Sequence, residues 1–283
     1  MITRFAPSPT GPLHLGHAYS ALLASDMARA AGGAFVLRIE DIDQSRARHR
    51  WEAQIYDDLG WLGLTWPTPV MRQSDRLETY GMALQALWSK GYLYACSCSR
   101  RDIAIAASAP QEGAIPFGPD GMIYPGTCRD ETAAGKCPQD TAIRLNLRKA
   151  MVGLSPFSFY EMGRTPNGGP GLVEFTANDA LAAIGDIVLA RRDMGTSYHL
   201  SVVLDDAAQG ITHVVRGEDL FEATKIHVIL QRLLNLPTPG YHHHPLIRDD
   251  AGKRLAKRDD ARAISEYRQD GASPASVRTF VGL

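Results

Sequence analysis

Three prolines within six positions, Pro7-Ser8-Pro9-Thr10-Gly11-Pro12, bar this stretch from being helix interior, because each ring removes an amide donor and fixes its own φ. The flanks are regular by contrast. Residues 1–6 are extended in character, and the alanine-rich run from His17 to Ala31 suits a helix that Gly32-Gly33 would end. Ala34 to Ile39 has the pattern of a buried strand. Strand, Gly/Pro loop, helix and strand in this order form the opening βαβ unit of a doubly wound parallel sheet, whose ligands collect where strand ends meet loops. In such a loop Gly11 and Gly16 let phosphates approach the backbone and His14 and His17 can donate to phosphate oxygens; a plain Pro/Gly loop with exposed histidines is the alternative. The helix that follows points its positive end at the anion.

The same alternation continues downstream. Ala47, Trp51, Ile55 and Leu59 repeat at i+4 and predict a helix with Asp43 as its N-cap. Leu77, Tyr80, Leu84, Leu87 and Trp88 predict another between Ser74 and Gly91. Residues 108–127 then hold four prolines and four glycines, against 43 of both in all 283 residues, which predicts an irregular loop there. A second Gly/Pro cluster runs from Gly163 to Gly171, and apolar segments resume at Ile184 to Leu189 and Leu200 to Leu204. Val214-Val215, Arg-Gly-Glu-Asp and a stripe of Ile226, Ile229, Leu230 and Leu233 form another strand-loop-helix unit. The stretch after Pro237 looks less regular. The middle therefore looks like an insertion between two halves of one nucleotide-binding fold.

The formal net charge of −1 gives no global pull on a polyanion, so any RNA contact has to be local. The densest basic group, Arg248, Lys253, Arg254, Lys257, Arg258 and Arg262, is interleaved with Asp249, Asp250, Asp259 and Asp260, and a solvated charged loop is the alternative. The first twenty residues lack a signal peptide's basic start and apolar core, and the apolar runs are too short to cross a bilayer. A cytoplasmic protein with no membrane partner is expected. Cys96, Cys98, Cys128 and Cys137 fall within 42 residues, which in that setting favours metal ligation over disulfides.

The fourteen residues from Arg4 to His17 resemble the opening signature of class I aminoacyl-tRNA synthetases of the glutamate-specific branch. Arg38-Ile-Glu-Asp-Ile-Asp43, Val215-Arg-Gly-Glu-Asp219 and Tyr241-His-His-His-Pro-Leu246 follow in family order, as does Lys253-Arg-Leu-Ala-Lys257-Arg258. The resemblance spans nearly the whole chain. It implies a Rossmann-like, doubly wound α/β catalytic domain in two halves, 1–95 and 181–240. Between them, 96–180 would be an insertion with a zinc site, and 241–283 would hold the second signature loop and a short helical stem-contact region.

Carried over residue by residue, the resemblance implies glutamate contacts at Arg4, Ala6, Ser8, Glu40, Tyr198 and Arg216, with Glu40 accepting from the substrate ammonium. Arg4 and Arg216 offer guanidinium forks suited to carboxylates. It implies an ATP site of Pro7, Thr10, Gly11, His14, Gly16, His17, His243 and Lys257, with Mg2+ on the phosphates. Lys257, with His14 and His17, would offset the charge that develops on pyrophosphate. Ala256 departs from the serine usual in the second signature, and so removes one hydroxyl contact. Cys96, Cys98, Tyr124 and Cys128 match the branch's zinc ligands, with Cys137 as a competitor for Tyr124; buried free thiols are the alternative. Three consecutive histidines, His242 to His244, do not converge easily on one ion.

A full member of that branch carries a large helical anticodon-binding domain after the second signature, whereas only 25 residues follow Arg258 here. The expectation is therefore a monomer that makes glutamyl-adenylate without tRNA and passes glutamate to queuosine in the anticodon stem-loop of tRNA(Asp). Three alternatives are a shortened synthetase that charges a tRNA 3′ end, a silent paralogue that only binds RNA, and a small-molecule ligase of the same superfamily.

Overall fold

The computed structural model describes residues 1–107, 117–130, 135–154, 156–247 and 262–283. Strand β1 (Ile2–Phe5) buries Thr3, Arg4 and Phe5 in succession, which a strand does only when both of its faces are covered. The proline loop leads into α1 (Leu15–Ala30), two residues earlier than the alanine run predicts. Its buried Ala18, Ala21 and Ala24 allow a close approach to the sheet, and the Thr3 hydroxyl donates to the Ala24 carbonyl at 2.7 Å. Strand β2 (Ala34–Ile39) has the predicted bounds and pairs in parallel with β1. At the turn between α1 and β2, a Cβ on Gly33 would sit 1.8 Å from the Met1 carbonyl oxygen, so the close backbone approach there requires glycine.

Helix α2 (His49–Trp61) corrects the expected cap. The Asp43 carbonyl accepts from the amides of Arg46 and Ala47 in a separate turn, and the Arg48 amide donates to the Pro9 carbonyl at 3.0 Å. The chain is thus tied to the proline loop before the helix starts, and Arg48, extended at φ −139°, precedes it. Strand β3 (Met71–Arg72) adds in parallel to β2, and a 3-10 turn leads to α3 (Leu77–Ser89). Tyr80, Leu84, Leu87 and Trp88 are buried on α3 as their spacing predicts, whereas Leu77 of the same stripe is exposed at the first turn, and Gly91 follows at φ +70°.

Next come β4 (Leu93–Cys96), α4 (Arg100–Ala107), the hairpin of β5 (Phe117–Gly118) and β6 (Gly121–Met122), β7 (Ala142–Leu145) and α5 (Leu147–Ala150). The hairpin of β8 (Phe157–Glu161) and β9 (Gly171–Phe175) turns through the second Gly/Pro cluster, where the Thr165 amide donates to the Gly169 carbonyl. They are followed by α6 (Ala177–Ala183), β10 (Val188–Ala190), α7 (Tyr198–Ala208), β11 (His213–Gly217), α8 (Ala223–Leu233) and β12 (Gly240–His244). Strands β4, β7 and β10 make an antiparallel sheet. Strands β8 and β9 lie inside the stretch 96–180, yet β8 pairs with β12 of the main sheet.

The stretch after Pro237 is more regular than expected, since it holds β12, α9 (Ile264–Gln269) and α10 (Pro274–Val281). Helix α10 buries Val277 and Val281 in the core formed with α1 and sends Arg278 to both oxygens of Asp26, at 2.7 and 2.9 Å.

Strands β3, β2 and β1 run parallel, as do β11 and β12. The two groups meet where the Thr212 amide donates to the Ile2 carbonyl at 3.0 Å. Adjacent residues of β11 face opposite ways: Val214 joins the core that holds Ile226 and Leu230 of α8, and Val215 the core that holds Leu22 of α1. The sheet is therefore wound on both faces, and the ends of β1, β2, β11 and β12 gather at one edge. Among the described residues no helix is long and apolar enough to cross a membrane.

Candidate active site

Two buried arginines and a buried aspartate organise that edge. Arg4 of β1 donates through Nε to Asp206 Oδ1 at 3.1 Å and through Nη1 to the Val215 carbonyl at 3.5 Å. Arg38 of β2, fully buried, donates through Nη1 to the same Asp206 oxygen at 2.7 Å and to Gln209 Oε1 at 2.9 Å, and through Nη2 to Glu40 Oε1 at 3.0 Å. Burial alone would raise the Asp206 pKa, but Arg4 and Arg38 override it and hold the carboxyl below its usual range. At Glu40 burial wins over Arg38 and the pKa is raised. Beneath them Asp205 is clamped by Arg76 (2.6 Å), Tyr80 (2.8 Å) and Gln73 (2.9 Å). Helix α7 thus brings two carboxylates under the ends of β1 and β2.

Arg216 lies on β11. Its Nε donates to His243 Nε2 at 3.2 Å, Nη1 meets His227 Nδ1 at 3.1 Å, and Nη2 donates to Thr224 Oγ1 at 2.6 Å and to the Leu220 carbonyl at 3.2 Å. His243 in turn sits 2.6 Å from Glu161 Oε2 through Nδ1, so both of its ring nitrogens have protein partners. Burial lowers the His243 pKa despite Glu161 beside it. Tyr198, the first residue of α7, packs edge-on against His199 and His227. Burial raises its phenol pKa.

The proline loop is fixed by its own carbonyls: the Glu40 amide donates to Pro7 and the Thr10 amide to Ser8. Pro7 and Gly11 are buried, with Ala6, Ser8 and Thr10 partly so. His14 caps α1, its Nδ1 accepting from the Gly16 amide at 3.1 Å, while the His14 amide donates to His17 Nδ1 at 3.1 Å. Each Nδ1 therefore presents a lone pair to the backbone, which puts the proton of each neutral ring on Nε2. The Gly16 amide is used by the cap, so this loop's donors are led by the imidazoles. Ala263 pairs antiparallel with His14, and the Ile264 amide donates to the Leu13 carbonyl at 2.8 Å. Lys257 and Ala256 lie outside the described residues, as does the basic group from Arg248 to Arg258. Arg262 is described, and it pairs with Asp270.

Cys96, Cys98 and Cys128 place their sulfurs within 4.8 Å of one another, the one such group of metal-ligating side chains among the described residues. The Tyr124 hydroxyl lies 3.4 Å from Cys96 Sγ and 3.3 Å from Cys98 Sγ, and Cys98 Sγ is 3.5 Å from Cys128 Sγ. A tetrahedral zinc ion, with bonds of about 2.3 Å to sulfur and about 2.0 Å to oxygen, spaces its ligands about 3.5–3.8 Å apart, and these three separations are close to that spacing. Cys137 is not among them: its amide donates to Gln85 and its side chain packs against the main core. Arg144 donates to Cys96 Sγ at 3.3 Å and lies 3.9 Å over the Tyr124 ring.

Sequence reasoning missed Asp205, Asp206, His199, His227, Thr224 and Glu161. The signal for the first two was an Asp-Asp pair directly after the apolar run Leu200 to Leu204.

Parallel strands that present buried guanidiniums at their ends, beside a histidine-capped helix, gather groups whose chemistry can receive anions. Residues 1–116 and 167–283 match the family described as tRNA synthetases class I (E and Q), catalytic domain, and the chain belongs to that family of ligases. Within it, the chain is 65% identical to the glutamyl-Q tRNA(Asp) synthetase of Rhodobacter capsulatus over the full length of both, and it belongs with the proteins of that name. The protein of the same name from Geobacter sulfurreducens is 41% identical, over 95% of this chain and 79% of the other. Among solved structures, a glutamate tRNA ligase from Elizabethkingia meningosepticum in complex with its amino acid superposes with a TM-score of 0.75 at 24% identity, covering 99% of this chain and 60% of the ligase. The methionyl-tRNA synthetase of Mycobacterium tuberculosis bound by methionyl-adenylate gives 0.59 at 11% identity, over 99% of this chain and 63% of the other. At these identities the likeness is one of fold.

Proposed function

We propose that this chain uses ATP to convert L-glutamate to glutamyl-adenylate without tRNA, and then transfers glutamate to the queuosine base of tRNA(Asp). One observation carries the activation step. Free glutamate bears two carboxylates and one ammonium, and the strand ends offer the complement: the guanidiniums of Arg4 and Arg216 and the carboxylate of Glu40. Ala6 and Ser8, which follow Arg4 along the loop, would add contacts, as would Tyr198 at the start of α7, within electrostatic reach of Arg216, Glu40 and Arg4. Bringing an ammonium to Glu40 offsets the burial that raises its pKa, so substrate binding favours the charged carboxylate.

ATP would lie along the loop of Pro7, Thr10, Gly11, His14, Gly16 and His17. The protonated Nε2 atoms of His14 and His17 are suited to phosphate oxygens, and Lys257 to the pyrophosphate. His243, with both ring nitrogens engaged, would meet the nucleotide through its ring face or backbone. A glutamate carboxylate oxygen attacks the α-phosphorus in line, forming the mixed anhydride as the bond to pyrophosphate breaks. Mg2+ bound with ATP would supply further charge compensation. A queuosine hydroxyl then attacks the anhydride carbonyl, loses its proton and releases AMP. Positioning and electrostatics serve both steps, with no protein nucleophile.

The acceptor is tested with labelled glutamate, ATP and total tRNA from cells with and without queuosine. Label on tRNA(Asp) from the first source alone is expected; label on a tRNA 3′ end from both would refute the acceptor.

We also infer that Cys96, Cys98, Tyr124 and Cys128 hold a structural zinc ion. One zinc per chain is expected by elemental analysis. Cys98→Ser should lose the metal and lower thermal stability, and a metal-free wild type that melts with the loaded protein would contradict the assignment.

A further inference from the structure

Arg216 stands in the middle of a buried polar chain that crosses the molecule. Towards α8, its Nη1 meets His227 Nδ1 at 3.1 Å, and His227 Nε2 lies 3.1 Å from His199 Nδ1 on α7. His199 Nε2 ends 3.5 Å from Asp120 Oδ1 in the β5–β6 hairpin. Towards β8, Nε donates to His243 Nε2 and His243 Nδ1 meets Glu161 Oε2. A guanidinium only donates, so the ring nitrogen facing it on each side must be a lone pair. That fixes every tautomer. His227 hands its Nε2 proton towards His199, His199 hands its own towards Asp120, and His243 donates to Glu161.

Burial, followed by Arg216 itself, holds the His227 pKa well below the usual histidine range, in keeping with a neutral ring. The Asp120 end is 38% exposed and lines a cavity of about 200 Å3 with Tyr198 and His199. Of the five N–H groups on Arg216, Nε takes His243, one on Nη1 takes His227, and both on Nη2 take Thr224 and Leu220. Among the described residues the second Nη1 hydrogen meets no acceptor, which makes it the one that can serve a substrate. Its direction follows the plane of the guanidinium, which the bond to His227 holds together with those to His243, Thr224 and Leu220.

We propose that His227, steadied by His199, is a positioning residue that aims the remaining Nη1 donor of Arg216 at a substrate carboxylate and so sets the affinity for glutamate. This rests on the reading of Arg216 as a glutamate contact. Nothing in the family signatures points to His227, because it lies eleven residues beyond Arg216 on a different element.

The test is a double-mutant cycle in glutamate-dependent ATP–pyrophosphate exchange. Loss of a hydrogen bond to a charged group predicts that His227→Phe raises the KM for glutamate about tenfold and leaves the KM for ATP within about twofold. His227→Asn, whose Oδ1 can accept in place of Nδ1, should recover most of the loss. On an Arg216→Ala background, His227→Phe should add nothing, since its effect runs through the guanidinium. A folded His227→Phe protein with the wild-type glutamate KM overturns the proposal, as do equal shifts in both KM values or full additivity in the cycle. If Arg216→Ala raises the glutamate KM and His227→Phe does not, the positioning role alone fails. If Arg216→Ala leaves that KM unchanged, the glutamate contact fails and the positioning role falls with it. Should His227→Phe not fold, Asp120→Ala at the exposed end replaces it in the cycle. A rise of about twofold in the glutamate KM that vanishes on the Arg216→Ala background then supports the relay, and no rise overturns it.

Discussion

Asp206→Ala is expected to destabilise the fold by about 3–5 kcal/mol and to weaken glutamate binding more than tenfold, because one oxygen serves two guanidiniums. Arg38 is fully buried, and losing its 2.7 Å partner leaves charge in the sheet with only Glu40, Gln209 and the more distant Asp205 to compensate. Arg4 loses the contact that orients it. Urea unfolding reads the first effect and the glutamate KM the second; a wild-type midpoint would show that the carboxylate does not hold the sheet.

The pH dependence has a definite sign. The folded Asp206 pKa is lowered, so its contribution is complete above the ordinary carboxylate pKa of about 3.9 and is lost as pH falls through the lower, folded value. Asp206→Asn should flatten that acid limb while keeping the side chain's shape.

Lys257→Ala is expected to reduce glutamate-dependent exchange by about 100- to 1000-fold, the scale seen when a donor to a developing oxyanion is removed. Described residues on both sides of its segment are tied to the proline loop or to α1. Strand β12 ends at His244, whose Nε2 is 2.7 Å from Ser20 on α1, and Ala263 pairs with His14. Exchange at the wild-type rate in Lys257→Ala would remove the residue from the mechanism.

What the sequence disclosed was local. The β1–loop–α1–β2 unit follows from prolines, alanines and glycines within a few residues of one another, and Ala34–Ile39 came out with its observed bounds. Cys96, Cys98, Tyr124 and Cys128 were singled out by resemblance, and they do converge. The Asp43 cap failed because the Pro9 carbonyl takes the Arg48 amide and starts the helix later, a contact no window on the helix contains. Asp206 and Glu161 were missed for the same reason on a larger scale. Asp206 meets Arg4 across 202 positions and Glu161 meets His243 across 82. Each is an unremarkable residue of its own helix or strand, and its meaning comes from a partner that only the folded sheet supplies.

Strand β1 is made before every strand it neighbours. Strand β2 reaches it after about thirty further residues, but the other edge waits for Thr212, 210 positions away. At a synthesis rate of about 5–20 residues per second, that edge stays unpaired for roughly 10–40 s. During this time the nascent chain carries an open strand edge, the kind that recruits other chains. It also carries Arg4 without its aspartate, since Asp206 emerges only a few residues before Thr212. Closure of the sheet and neutralisation of its buried arginine thus come together, late in synthesis.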